Sequence, residues 1–381
     1  MGPIYLDHAA TTPVRREVLD AMLPFFGERF GNPSSAHAFG RAARAALEEA
    51  RERVAGVIGA RRSEIVFTSG GTEADNLAVL GRARWALRAQ GRAVVGCTAT
   101  EHKAVLSAIT QAAQEGARAV ILGVDSEGRV ALETITELLE QKPAVISVMW
   151  VNNEVGTVQP IEQIAERCAA SDVVLHTDAV QAAARLPVRI HDGIGLLSMS
   201  GHKLGAPKGI GVLYIRDGVA LIASQHGGSQ ERAIRPGTEN IASAVGFSVA
   251  LELAGAERAA ESARLRALRD RLQHALVGAV PDLVVNAGEA ERAPHILSVS
   301  VTGVEQDALL VSLDLEGIAV STASACQSGT AEPSHVLVAM GRNIDDAAVL
   351  RMSLGRATTA AEIERAVQAI PQIIERVRAL V

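Results

Sequence analysis

The 381-residue sequence predicts an α/β protein built on a mainly parallel sheet, followed by a smaller α+β unit. Three observations predict it. Between about residues 40 and 215, short β-rich runs alternate with amphipathic stretches, a rhythm that calls for parallel strands covered on both faces. Residues 241–279, rich in Ala, Leu, Arg and Glu and free of proline, describe one or two long helices leaving that sheet. The chain also exceeds the ~250 to 300 residues at which a single core stops growing, so a second unit is expected.

Taken in order, the run at 64–68 precedes an amphipathic stretch at 72–90, 93–97 precedes 102–115, and 118–123 precedes 130–141. The series continues through 144–151, a helix near 160–171, and runs at 173–177, 195–199 and 210–215. Beyond the long helical stretch come runs at 282–286, 295–301, 318–320 and 349–354, with helices near 305–316, 333–341 and 359–379. The Gly/Ser/Thr-rich segment from Ser321 to Thr330 predicts a mobile loop.

Composition narrows the function classes. Hydrophobic residues make up 48% and charged residues 21%, with 34 glycines, a balance of soluble α/β proteins rather than of disordered chains. The net charge is −6 with a pI near 6.0, and no Lys/Arg block marks a nucleic-acid surface. Cys97, Cys168 and Cys326 are odd in number and far apart, which suggests neither a disulfide framework nor a zinc site and fits a reducing cytoplasm. The N-terminus lacks the pattern of a leader peptide, and apolar runs such as 144–151 are too short to span a bilayer. Small-molecule chemistry is the expectation.

Three constellations carry that chemistry. Thr68-Ser69-Gly70-Gly71-Thr72-Glu73 stands between a strand and a helix, where small residues and a helix N-terminus suit a phosphate. Thr72 as a simple helix cap is the plainer reading. Asp178 arrives at the C-terminal end of a buried-type strand, where open α/β sheets bind ligands, and its carboxylate suits a protonated pyridine nitrogen. Its alternative is an N-cap before Ala179. Lys203 follows the next strand amid Gly201, Gly205 and Gly209; a partly desolvated lysine forms imines with aldehydes and moves protons, although a surface lysine would look the same. Phosphate turn, aspartate and lysine at successive strand ends are more specific together than any one alone.

The motifs SGGTEADN at 69–76, TEHKAV at 100–105, VNNEVGTVQPI at 151–161, HTDAVQA at 176–182, SGHKLGAPKGIG at 200–211, RPGTEN at 235–240, SACQSG at 324–329 and RMSLGR at 351–356 resemble the NifS/IscS group of cysteine desulfurases, within the class V aminotransferase superfamily. The resemblance runs from LDHAATTP at 6–13 to the final helix. It implies a pyridoxal 5'-phosphate enzyme of fold type I with a seven-stranded-type sheet, a large domain at 14–254, and a small domain of 1–13 and 255–381 carrying the Cys326 loop. It implies that Lys203 is the Schiff-base lysine, that His102 stacks over the ring and assists proton transfer, that Asp178 pairs with the ring nitrogen and that Gln181 bonds its phenolic oxygen. Gly71, Thr72, Ser200 and His202 would bind the phosphate, with Thr238 reaching in from the second subunit of a homodimer. Asn152 would serve cofactor and substrate, and Arg351 would hold the carboxylate of L-cysteine, which its guanidinium fork matches.

Cys326 sits among Ser324, Ser328, Gly329 and Thr330, too polar a neighbourhood to pack a thiol into a core, whereas Cys97 and Cys168 read as packing residues. By the resemblance, Cys326 takes the sulfane sulfur as a persulfide, leaving alanine, and hands it to an acceptor protein, for iron–sulfur clusters or thiolation. A selenocysteine lyase or another class V enzyme is the first alternative, and a non-catalytic docking subunit the second. Gly205, Ser229 and Met352 depart from the family pattern and are expected to alter the pocket; Gly205 stands where relatives often have a bulkier residue.

Overall fold

The computed structural model describes residues 2–322, 333–343 and 346–379. In chain order the elements of the first part are β1 (Ile4–Tyr5), α1 (Arg16–Met22), α2 (Ala38–Ile58), β2 (Ile65–Thr68), α3 (Gly71–Gln90), β3 (Val94–Thr98), α4 (Lys103–Gln114), β4 (Arg118–Leu122), α5 (Leu132–Leu139), β5 (Val145–Ser147), α6 (Ile161–Ala170), β6 (Leu175–Asp178), β7 (Ile194–Ser200) and β8 (Gly211–Ile215). β2 to β8 form a seven-stranded sheet in the order β2-β8-β7-β6-β5-β3-β4. β7, β6, β5, β3 and β4 pair in parallel, and β8 runs antiparallel to both its neighbours.

Both faces of this sheet are covered, as continuous apolar strands require. Alternation along each strand assigns residues to one face or the other: Leu197, Met199, Val212 and Tyr214 pack with α2 residues such as Val54, whereas Leu196, Leu213 and Ile215 pack with Leu77 and Val79 of α3 and Ile109 of α4. Every residue of β6 and β7 is buried, including the polar His176, Thr177, Asp178, Ser198 and Ser200.

The outer edge of β2 is closed by side chains instead of a further strand. The Arg51 guanidinium donates to Ile65 O at 2.8 Å and forms a two-bond pair with Glu231 at 2.7 and 2.8 Å, while Phe67 N donates to the same carboxylate at 2.9 Å. Glu231, Arg232 and Ala233 all hold left-handed backbone angles, φ of 45°, 58° and 59°, a conformation kept because the buried ion pair over-determines it. Capping an edge this way removes a template for strand addition.

The second part comprises α7 (Ile241–Ala279), β9 (Leu283–Val285), β10 (Ile296–Thr302), α8 (Gln306–Leu315), β11 (Ile318–Ala319), α9 (His335–Ala339), β12 (Ala347–Ser353) and α10 (Ala360–Arg378). The stretch expected to be one or two helices is a single 39-residue helix. Its first half, including Phe247 and Leu251, belongs to the core of the large sheet, and Leu265, Leu272 and Leu276 belong to a second core with β10, β12 and α10. There β12-β10-β9 make an antiparallel sheet, and β1 from the N-terminus pairs in parallel with β11. That two-residue strand gave no periodic signal in the sequence.

Replacing Arg51 by Met leaves the buried Glu231 carboxylate without its cation. Urea unfolding of Arg51→Met is expected to show a loss of about 3 to 5 kcal/mol with an unchanged m-value.

Candidate active site

β2, β3, β5, β6 and β7 all end on the same edge of the sheet, and a cavity of about 480 Å³ opens there. Its wall is built from the residues that follow those strands. After β2 the chain turns through Gly70 into α3, whose start presses onto the ends of β6 and β7: a Cβ on Gly71 would lie 3.0 Å from Val180 Cγ2 and 3.5 Å from Ser200 Cβ. Glycine is needed again across the turn, because a Cβ on Gly211 would meet the Gly70 backbone at 2.6 Å. The first amides of this 20-residue helix, at Gly71 and Thr72, have no intrahelical partner and border the cavity.

Lys203 ends a short turn, Gly201–Lys203, directly after β7. Its Nζ donates to Ala9 O at 2.5 Å and Ala10 O at 2.7 Å. The N-terminal segment is sewn across this turn: Thr12 Oγ1 donates to His202 O at 2.7 Å and accepts from Gly205 N at 3.0 Å, and Arg15 N donates to Gly205 O at 2.9 Å. Asp178, at the end of β6, accepts from Val180 N at 2.8 Å, and Gln181 Nε2 donates to Ala9 O at 2.9 Å. His102 caps α4, its Nδ1 accepting from Ala104 N at 3.1 Å, so Nε2 carries the proton of the neutral ring. Both residues line the cavity; His102 also caps α4, whereas no helix directly follows Asp178, whose bond to Val180 N closes a turn. Ser200, His202 and Arg351 complete the wall.

The sequence profile of the family described as Aminotransferase class-V matches residues 4–366. The chain belongs to that family. Cysteine desulfurase IscS of Dictyoglomus turgidum is 43% identical over 379 residues, 99% of this chain and 96% of that protein. Cysteine desulfurase NifS of Azotobacter vinelandii is 44% identical over 382 residues, 99% of this chain and 94% of that relative. A solved NifS-like protein superposes with a TM-score of 0.90 at 34% identity, covering 98% of this chain and 100% of that one.

Pyridoxal phosphate is the cofactor of this member of the class-V family, and the donor set fits it. An anion has the α3 N-terminus and the hydroxyls of Thr72 and Ser200, a protonated pyridine nitrogen has the Asp178 carboxylate, and an aldehyde has the Lys203 amine, all on one cavity. His202, whose Nδ1 lies 3.2 Å from Thr11 Oγ1, is held neutral because burial and then the charges of Lys203 and Lys208 lower its pKa to about 4.

Several expected residues sit differently. Asn152 does not line the cavity; its neighbour Asn153 does. The Asn152 amide is spent on its own loop, Oδ1 accepting from Glu154 N and Val155 N at 2.9 Å and Nδ2 donating to Thr100 O at 3.0 Å. Thr238 is exposed and lies outside the cavity of a single chain. Arg351 is both a cavity residue and a salt-bridge partner, donating to Asp7 Oδ1 at 2.8 Å and Asn153 O at 3.0 Å. Met352, one residue further along β12, points the opposite way into the small-unit core and does not shape the pocket. Ser229 lies beside Glu231 in the edge-capping segment, also away from it. Cys326 lies outside the described residues. Cys97 and Cys168 are fully buried; burial pushes both thiols up, Cys168 to about 12, so neither forms a thiolate.

Behind the cavity lies a buried polar layer that the sequence reading missed. Glu101 accepts from Thr98 Oγ1 at 2.6 Å, Met149 N at 2.8 Å and Ser147 Oγ at 3.2 Å; His176 bridges Ser147 and Ser198 at 2.8 and 3.0 Å and stands 3.6 Å from Asp75. Burial lowers the His176 pKa to about 3, so the ring is neutral. Burial, and then the nearby Asp178 charge, push Asp75 well up. Asp178 is also pushed up by burial, but His102, Val180 N–H and Lys203 pull it back, so it is raised less than Asp75. Asp75, Glu101 and His176 each lie within a motif already singled out; the available signal was an ionisable residue in a segment otherwise destined for full burial.

Burial outweighs the three donors on Glu101 and raises its pKa from 4.5 to about 8. The unfolded chain releases this proton from about pH 4.5 while the folded protein keeps it, so stability from this group declines as pH rises to about 8 and is level above. The stability of cofactor-free Glu101→Gln minus that of the parent is therefore expected to grow across that window in urea titrations. Parallel curves would mean that Glu101 is ionised when folded.

Proposed function

We propose that this chain is a cysteine desulfurase that converts L-cysteine to L-alanine and passes the sulfane sulfur through Cys326 to an acceptor protein. The observation that carries the reading is the convergence of Lys203, Asp178, His102 and Arg351 on one cavity beside an anion-binding helix N-terminus. Bound pyridoxal phosphate supplies an aldehyde for an amine and a ring that holds the electron pair left at Cα. Lys203 Nζ, positioned by the Ala9 and Ala10 carbonyls, would take the Cα proton, and His102 would move a proton at its Nε2. The Asp178 carboxylate would hold a proton on the ring nitrogen. Arg351, oriented by Asp7 and the Asn153 carbonyl, holds the substrate carboxylate. The Cys326 thiolate attacks the substrate Sγ as the Cβ–Sγ bond breaks; the electron pair of that bond goes to Cβ, which takes up a proton to become the methyl group of alanine, and the sulfur stays on Cys326 as a persulfide.

The described residues on either side of 323–332 support this role for Cys326. Ser321 pairs with Arg351 through two backbone hydrogen bonds of 2.8 and 3.2 Å, and Ser334 donates to Glu154 at the cavity wall. Both ends of the segment are thereby fixed at the site. The acceptor would serve iron–sulfur cluster assembly or thiolation, in a reducing cytoplasm. No helix among the described residues is long and apolar enough to cross a membrane.

A homodimer is part of the proposal. Phe26, Phe30 and Phe39 are 67%, 69% and 56% exposed, and the last two rings lie 5.5 Å apart, an apolar cluster that calls for cover. Thr238 of one chain would then complete the phosphate site of the other. Sedimentation of Phe39→Asp is expected to show a shift toward monomer with reduced cofactor retention.

With L-cysteine and a reductant, the protein is expected to form alanine and sulfide. Cys326→Ala should abolish sulfide release while the yellow cofactor absorbance persists; full activity in that variant would overturn the reading. Arg351→Ala should lower kcat/KM about tenfold to a hundredfold, largely through KM, as loss of a charge-assisted pair predicts.

A further inference from the structure

A second cavity, of about 390 Å³, shares Lys203 alone, among the described residues, with the lining of the active site. It lies between the N-terminal segment, the turn after β6, and the middle of α7. Its wall is cationic. Arg15, Arg185 and Arg356 line it against two carboxylates, and both carboxylates are engaged: Glu257 by Arg15 at 2.6 Å and Arg356 at 3.6 Å, and Glu261 by two bonds of 2.9 Å from Arg264. Among the described residues, the Arg185 guanidinium has no hydrogen bond and no ion pair within 4 Å; Glu261 and Arg264 act on it only through longer-range charge.

Two further nitrogens in this wall are orphaned. Arg15, its side chain 7% exposed, has a buried Nε with no hydrogen-bond partner among the described residues, and so has His8 at Nδ1. An unsatisfied Arg15 Nε–H and an unpaired cation at a low-dielectric wall are costly unless an acceptor completes them. Gly205 keeps the space open: its φ is +86°, and a Cβ there would stand 2.7 Å from Arg15 Cγ, displacing the side chain that forms one wall. The departure at Gly205 thus belongs to this cavity and not to the active site.

We propose that this cavity binds a small oxyanion, a carboxylate or inorganic phosphate, between Arg15 and Arg185. An occupant there ties the segment carrying Thr12 and Arg15 to the turn after β6 and to α7. The same segment supplies the Ala9 and Ala10 carbonyls that hold the Lys203 amine, so occupancy stiffens the backbone around the catalytic lysine.

Isothermal titration of cofactor-loaded protein, in which the cofactor fills its own phosphate locus, tests this with inorganic phosphate and, separately, acetate, at ionic strength fixed by chloride. Saturable one-site binding of either anion is expected, and the tighter of the two identifies the source. Arg185→Met should weaken it about tenfold or more while the visible absorbance of the bound cofactor is retained. Gly205→Asn, which tolerates a left-handed backbone and fills the space, should abolish it, and this variant decides the matter if Arg185→Met fails to load cofactor. Dilution heats alone for both anions, or undiminished affinity in Gly205→Asn, would overturn the proposal.

Discussion

The site depends on one constraint, the parallel pairing of β3, β5, β6 and β7. Strands that run the same way deliver their C-terminal residues to the same edge, so Glu101 and His102, Asn153, Asp178 and Lys203 meet although they are scattered over a hundred residues of sequence. Antiparallel β8 gives the arrangement its close fit. It starts where the others end, and its first residue, Gly211, allows the Gly70 turn to sit against it and lower the α3 N-terminus onto the cavity.

Burial then decides which groups remain charged. At and behind the cavity wall His176 is neutral and Asp75 and Glu101 are pushed toward their protonated forms, while His102 and Lys203 counter part of the desolvation of Asp178. A carboxylate that must hold a proton on a ring nitrogen gains from such neighbours, because a second nearby negative charge would compete for the same proton. Glu154, raised to about 7 mainly by burial, extends this pattern to the wall that faces Arg351 and Ser334. The positive side of the site consists of Lys203, Arg351 and a helix N-terminus, suited to an anionic cofactor and an anionic substrate.

Much of this was legible in the sequence. The strand–helix alternation gave the large sheet almost element by element, because strands buried on both faces leave an unbroken apolar run and the intervening helices an amphipathic one. Lys203, Asp178 and the Gly70-Gly71 turn were visible because polar or small residues interrupt such runs at their C-terminal ends. What stayed hidden depends on tertiary contact. β1 is two residues long and exists only because β11 is beside it; the burial of Glu231 rests on its pairing with Arg51, 180 residues away. Asn152 and Asn153 are neighbours in one motif, and nothing short of the loop's own hydrogen bonds tells which of them turns inward. Met352 likewise takes its direction from the strand parity that Arg351 sets.

The N-terminal segment joins these levels. It is not part of the large sheet, yet Ala9 and Ala10 hold the Lys203 amine, Thr12 and Arg15 bracket the turn behind it, and Asp7 orients Arg351 on the small unit. A displacement of this strap would reach the lysine and the arginine together, since each is fixed to it by charge-assisted bonds. Strengthening one such bond lowers the cost of forming the other, because the strap is ordered only once. Lys203 and Arg351 are therefore tied to a common backbone, although one follows a strand of the large sheet and the other lies on a strand of the small one.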